Sequence, residues 1–208
     1  MKVYITRHGE SVSNAEGFIA FSYTGLSEKG MVDAKKLGER LVRENIKIDA
    51  VYCSSLFRTL QTMDQIFKGG FKIDPKKVFV TDLVREINRA EYEGQTSTDY
   101  YAVRDSSGLD PDDFKCKGGE SENDVKRRAA EFKKLIEESG YKNILVITHG
   151  HFIGQFNSLF GMKLEHTTGG ALSLLEIEGD KAEVKFWNDT SHLEESQMSA
   201  QRNSGNIH

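Results

Sequence analysis

Proline and cysteine are scarce in this chain, with two of each among 208 residues, and there is a single tryptophan. Two thiols, Cys53 and Cys116, are too few for a disulfide framework, so a reducing, cytoplasmic setting is expected. Cys53 falls in a strand-like run and reads as a small buried apolar residue. No apolar stretch is long enough to span a membrane. The chain enters a strand at once, which is expected to leave no room for a signal or transit peptide. An excess of positive charge is missing too: 28 Lys and Arg against 32 Asp and Glu give a net charge of −4. That balance argues against a nucleic-acid-binding surface. The runs Lys35-Lys36 and Lys126-Arg127-Arg128 have acidic neighbours and read as solvated helix faces.

What remains is an ordinary globular composition, 38% hydrophobic and 29% charged, in a chain long enough for one full core. Short apolar runs alternate with helical periodicity. Strands are expected at 2–6, 49–53, 78–80 and 144–148, and helices at 27–44, 56–67, 121–138 and 151–160. Met31, Ala34, Leu37 and Leu41 form one apolar stripe, and Val125, Ala129, Phe132 and Ile136 another. Ser121-x-x-Asp124 resembles a capping box. Runs at 172–177 and 182–187, with Gly179-Asp180 between them, predict a closing antiparallel pair. The fold class expected is α/β: three layers, α/β/α, around a mostly parallel central sheet. Residues 1–193 are read as one domain. Within it the acidic, turn-rich stretch at about 95–119 is read as a lid-like insertion, and 194–208 as a polar tail.

Four local signals fall at strand ends or at the starts of the helices that follow. They are Arg7-His8-Gly9-Glu10, Ser54-Ser55-Leu56-Phe57-Arg58, Glu86 in Leu83-Val84-Arg85-Glu86-Ile87, and Thr148-His149-Gly150. In a parallel sheet such positions converge on one rim, where ligands bind. Arginine presents a planar fork to phosphate oxygens, neutral histidine can be a nucleophile, and a carboxyl can carry a proton. Gly9 would let the backbone turn close to whatever sits there. Two arginines, two histidines and a carboxylate in one pocket suit phosphoryl chemistry.

The ordered set resembles the histidine phosphatase superfamily, the group that includes the cofactor-dependent phosphoglycerate mutases. The resemblance runs from Lys2 to about Leu193. It rests on Arg-His-Gly-Glu-Ser-x-x-Asn at 7–14, Leu-Ser-x-x-Gly at 26–30, Ser-Ser-x-x-Arg at 54–58, Leu-x-x-Glu at 83–86, Glu-x-x-Gly-Gln at 91–95, Gly-Gly-Glu-Ser at 118–121 and Thr-His-Gly at 148–150. It implies a phosphoglycerate mutase-like fold and His8 as the nucleophile that becomes phosphohistidine. It implies further that Arg7, Arg58 and His149 hold the phosphoryl oxygens, with Asn14 as a neutral donor, unless Asn14 only caps a turn. Glu86 would be the proton donor and acceptor, with a carboxyl pKa raised by burial and by the phosphate; Glu91 and Glu93 compete for that role. Thr24 and Gly25 occupy a substrate-loop position, and Arg85, Arg89 and His151 could also reach the substrate. His166, His192 and His208 are expected to have no catalytic role, and Gly118-Gly119-Glu120-Ser121 to start a helix.

The interval between Glu86 and Gly118 is short and acid-rich, whereas the mutase branch carries a long basic insertion there. Net hydrolysis of a small phosphorylated metabolite follows as the expected activity. Phosphoserine or another phosphorylated carboxylic acid is the candidate substrate, with no cofactor, no metal, no nucleic acid and no membrane. Monomer and homodimer stay open. The alternative is a 2,3-bisphosphoglycerate-dependent phosphoglycerate mutase. A minor alternative takes His149 and His151 as metal ligands, with Asp110, Asp112 and Asp113 as further candidates, in a metal-dependent hydrolase. A third is a catalytically silent module that binds a phospholigand.

Overall fold

The computed structural model describes residues 1–163 and 167–193. Six strands form one sheet in the order β3-β2-β4-β1-β5-β6. They are β1 (Lys2–Arg7), β2 (Ala50–Ser54), β3 (Val78–Thr81), β4 (Asn143–Thr148), β5 (Leu172–Glu178) and β6 (Lys181–Asp189). Strands β1 to β4 pair in parallel, and β5 and β6 add an antiparallel flank. Strands buried on both faces need continuous apolar runs. Val3-Tyr4-Ile5, Ala50-Val51-Tyr52-Cys53 and Ile144-Leu145-Val146-Ile147 supply them, all buried. At the flank, β6 alternates exposed and half-buried positions, as a sheet with one wet face should.

Helices α2 (Glu28–Arg43) and α3 (Phe57–Lys68) cover one face, and α5 (Glu122–Glu138) and α6 (Gly150–Ser158) the other. The stripe on α5 lies wholly inside, with Val125, Ala129, Phe132 and Ile136 fully buried. On α2, Ala34, Leu37 and Leu41 do the same. The Ser121 capping box forms, its side chain accepting from Asp124 N and the Asp124 carboxylate accepting from Ser121 N. Gly118 to Ser121 leads into the helix in the expected way. Cys53 is buried, and burial pushes its thiol up to about 12.

Two helices were not anticipated. One is a single turn, α1 (Val12–Glu16); the other, α4 (Ser97–Ser106), lies inside the 95–119 stretch. Tyr100 on α4 packs with Phe114 and Cys116, and Ile19, Ala90, Tyr92 and Tyr101 close over this small cluster. The basic run on α5 also divides. Arg127 pairs with Asp124 at the surface. Arg128, by contrast, is half-buried: its Nε and Nη2 hold Glu120, and Nη1 donates to the carbonyls of Leu83 and Arg85. It is a strut for the segment carrying Glu86 rather than a solvated face. No helix among the described residues is long and apolar enough to cross a membrane. The tail 194–208, with His208, and also His166 lie outside the described residues. Buried His192 bonds Gly170 O through Nε2 and faces Arg40 through Nδ1, so it ties the end of the fold to α2.

Candidate active site

Strands β1 and β4 are neighbours in register, with Arg7 opposite Thr148. The next residue on each is therefore a histidine at the same rim, and the rings of His8 and His149 lie 5.1 Å apart. Beside them β2 ends in Ser54 and leads into α3, whose first turn carries Arg58 inward. The segment after β3 brings Glu86 from the other side. The four signals far apart in sequence meet at one place.

A cavity of about 180 Å³ opens there, lined by Arg7, His8, Asn14, Arg58, Glu86 and His151, and by Arg85, Arg89, Glu93 and Tyr101. That is smaller than pockets for drug-sized ligands, roughly 300 Å³ and up.

His8 is 3% exposed and its Nδ1 lies 2.7 Å from the Gly9 carbonyl. A carbonyl only accepts, so Nδ1 carries the hydrogen and Nε2 keeps its lone pair. The Arg58 Nε–H donates to that Nε2 at 3.2 Å. Burial, then the positive charges of Arg58 and Arg7, push His8 down to about 3, so the ring is neutral at ordinary pH. Gly9 is required by a different close approach from the one expected. A Cβ there would stand 2.4 Å from the Gly30 carbonyl oxygen on α2, so it admits α2 rather than a ligand.

His149 is fully buried beneath His8, and burial holds its pKa well below the usual range. Its Nε2 is 2.8 Å from Ser54 Oγ, while Nδ1 has no protein hydrogen-bond partner. Ser54 Oγ also accepts from Leu56 N–H, so its own hydrogen is free to go to His149 Nε2. Arg7 Nη1 donates to the Thr167 carbonyl, and Arg58 Nη1 to that of Phe21. Burial lowers the pKa of both guanidiniums. Asn14 caps the turn and also stands at the cavity. Its Oδ1 accepts from Ser11 N–H in a capping box, while the residue lines the cavity and keeps an Nδ2 donor.

Glu86 corrects an expectation. Burial pushes its carboxyl up, but His151, and after it His149 and Arg58, outweigh that and hold it well below the usual carboxylate range. Glu93 lines the cavity and is raised by burial, whereas Glu91 is outside the lining and accepts from Lys117 N. Thr24 and Gly25 are not brought to the cavity. Thr24 Oγ1 accepts from Phe21 N, and the Gly25 carbonyl accepts from Val12 N, so both brace the loop from behind. Phe18 to Ser22 line the cavity instead.

Arg85 and Arg89 both reach it. Arg89 is 6% exposed and stacks on Tyr100 at 3.8 Å from the ring centre. Its Nη2 meets His151 Nε2 at 2.8 Å, and its buried Nη1 has no protein partner. The loop acids are spent elsewhere. Asp110 accepts from Asp112 N–H and Asp113 from Asn123 Nδ2, and all three are exposed. They lend nothing to a metal site with His149 and His151, whose rings face Ser54, Glu86 and Arg89.

Sequence reasoning missed Ser54 as a partner of His149, Arg128 as the strut behind Glu86, and Tyr101 and Ser97 as cavity wall. The Thr96-x-x-Asp99 capping box that opens α4 is a sequence signal for the helix carrying the last two.

Comparison with known proteins agrees with this geometry. Residues 3–190 match the histidine phosphatase superfamily (branch 1). A probable phosphatase of Schizosaccharomyces pombe is 28% identical over 212 residues, covering 93% of this chain and 96% of that protein. Phosphoglycerate mutase-like protein 4 of Arabidopsis thaliana is 26% identical over 215 residues, covering 94% and 88%. The solved structure of Bacillus stearothermophilus YhfR superposes with a TM-score of 0.79 at 28% identity, covering 93% of this chain and 99% of that one. An α/β fold of this topology, with paired histidines and arginines at its carboxyl rim, places the chain in the histidine phosphatase superfamily, branch 1, as an enzyme of the histidine phosphatase type.

Proposed function

We propose that this protein is a metal-independent phosphomonoesterase that hydrolyses a small phosphorylated metabolite through a phosphohistidine on His8. One observation carries the reading: a buried, neutral imidazole tied at Nδ1 to Gly9 O presents its Nε2 lone pair beside Arg58 in the cavity. In the first step Nε2 bonds phosphorus, the ester P–O bond breaks, and Glu86 gives its proton to the leaving oxygen. In the second, water bonds phosphorus, the P–N bond breaks, and Glu86 takes the water proton. Splitting one displacement in two is the gain of covalent catalysis. Arg58 turns from Nε2 to a phosphoryl oxygen as substrate enters, and with Arg7, Asn14 and His149 steadies the charge of the transition state.

Glu86 is ionised in the empty site, so its proton arrives with the substrate. A phosphate ester has a second pKa near about 6, and a bound phosphate raises a neighbouring carboxyl. The small cavity favours a compact substrate. In its lining the Arg85 and Arg89 guanidiniums suit a carboxylate, and Glu93 suits an ammonium. A phosphorylated carboxylic acid such as phosphoserine fits both. Ser97 and Tyr101 line the cavity from the 95–119 stretch, which supports reading that stretch as the lid-like part of a single 1–193 domain.

A panel of phosphorylated metabolites, read for free phosphate and for isomers with and without 2,3-bisphosphoglycerate, tests this. Expected are phosphate release without cofactor, indifference to chelators, inhibition by vanadate and no turnover by His8→Ala. Isomerisation that requires the bisphosphate would make the protein a mutase. Loss of activity to chelators would make it a metal-dependent hydrolase, and no turnover of any ester would leave a phospholigand-binding module.

A further inference from the structure

Two backbone donors and one ring nitrogen converge on one oxygen of Glu86. Ile87 N–H reaches Oε1 at 3.0 Å, His151 N–H at 3.1 Å, and the His151 ring approaches it with Nδ1 at 3.3 Å. The backbone N–H is one that the first turn of α6 leaves unpaired within the helix. The ring's role follows from its far side. His151 Nε2 is 2.8 Å from Arg89 Nη2, and a guanidinium has only hydrogens to offer. In the neutral ring Nε2 is therefore the acceptor and Nδ1 carries the hydrogen on the side of Glu86; burial lowers the His151 pKa, and against that the charge of Glu86 raises it. Arg89 is fixed in turn by its stack on Tyr100 and by Tyr101 Oη at 3.4 Å. The remaining charged neighbour of His151 is Glu122 on α5, with Oε1 3.6 Å from Nε2 and Oε2 held by Gln155. Glu86 itself faces His151, His149, Arg58 and Arg7.

We propose that His151 is a positioning residue for the proton donor: with Ile87 N–H it saturates Oε1 of Glu86, so that Oε2 is the oxygen that carries and delivers the proton. Arg89 sets the His151 tautomer that makes this possible. His151 keeps its own hydrogen throughout. The proton leaves Oε2 for the ester oxygen as the P–O bond breaks, and returns from water as the P–N bond breaks. Donors to a carboxylate favour its ionised form, so the same contacts set the pH above which Glu86 lacks a proton. The proposal rests on the phosphohistidine reading above.

The test compares His151→Ala and His151→Asn with the unaltered enzyme on glycerol phosphate and on p-nitrophenyl phosphate, across pH. Asn can place an amide N–H where Nδ1–H stood. An alkoxide needs the proton; p-nitrophenolate scarcely does. His151→Ala should lower kcat on glycerol phosphate by about 10- to 100-fold, the scale of a misplaced catalytic group. The loss on the aryl ester should be several-fold smaller. The alkaline limb of the glycerol phosphate profile should move to higher pH, and His151→Asn should recover most of the rate. Equal losses on both esters with an unmoved limb would overturn the proposal by making His151 structural, as would an Ala variant indistinguishable from the parent. Trapping phosphohistidine on the unaltered enzyme separates the two readings. Absence of the adduct defeats the underlying mechanism, and its presence with an unmoved His151→Ala defeats only this inference.

Discussion

Replacing His8 by Gln should make the protein less sensitive to acid, although it destroys the nucleophile. Burial with Arg58 and Arg7 pushes His8 to about 3, against 6.5 for a free imidazole. Below pH 6.5 the unfolded chain therefore takes up a proton that the folded chain refuses. Because the folded pKa is the depressed one, stability is intact above 6.5 and is lost as pH falls toward about 3. At pH 4 the difference in protonation corresponds to about 2.5 pH units, each about 1.4 kcal/mol, or roughly 3 kcal/mol in all. That is a large part of a typical domain's 5–15 kcal/mol or so. Glutamine fills much of the imidazole's space and does not titrate. Urea unfolding of both proteins at pH 7 and pH 4, in phosphate-free buffer because a bound anion would stabilise the fold, isolates the residue. The parent should lose about 3 kcal/mol more than His8→Gln between the two pH values. Parallel losses would mean that His8 accepts a proton in the folded state, and the neutral-nucleophile argument would fail.

Other perturbations separate chemistry from folding. Glu86→Gln should slow alkyl phosphates by about 10²- to 10⁴-fold, the usual worth of general acid–base catalysis, and aryl phosphates far less; equal losses on the two would contradict its role as acid. Arg58→Met should cost roughly 10²- to 10³-fold in kcat/KM, the scale of one lost oxyanion donor, and should weaken vanadate inhibition in steady-state assays. Phe132→Ala, which empties the contact among Tyr52, Phe152 and Phe156, should cost about 3–5 kcal/mol in urea titrations while leaving the pH profile of activity in place.

The parts of the fold legible in sequence were those with strong periodicity. The apolar runs of β1, β2 and β4 and the stripes on α2 and α5 can be satisfied only by burial, so their places followed from pattern. The rim residues were legible because they sit where those runs stop. What was hidden depends on tertiary contact. Arg128 is chemically identical to its exposed neighbour Arg127, and only the fold decides which of them meets the carbonyls of Leu83 and Arg85. The lowered pKa of Glu86 was hidden for the same reason, since it depends on His151, 65 residues away in sequence, arriving at Oε1. The helix α4 was obscured because its packing surface is a local cluster of Tyr100, Phe114 and Cys116 rather than a stripe facing the sheet.

The central claim, that a neutral His8 forms a covalent bond to phosphorus, is tested most directly by rapid-quench phosphopeptide mapping during turnover of an aryl phosphate. An acid-labile, base-stable phosphate confined to the peptide bearing His8, forming and decaying as fast as product appears, is the predicted result. Steady turnover with no phosphate on that peptide, or with phosphate on another side chain, would contradict it.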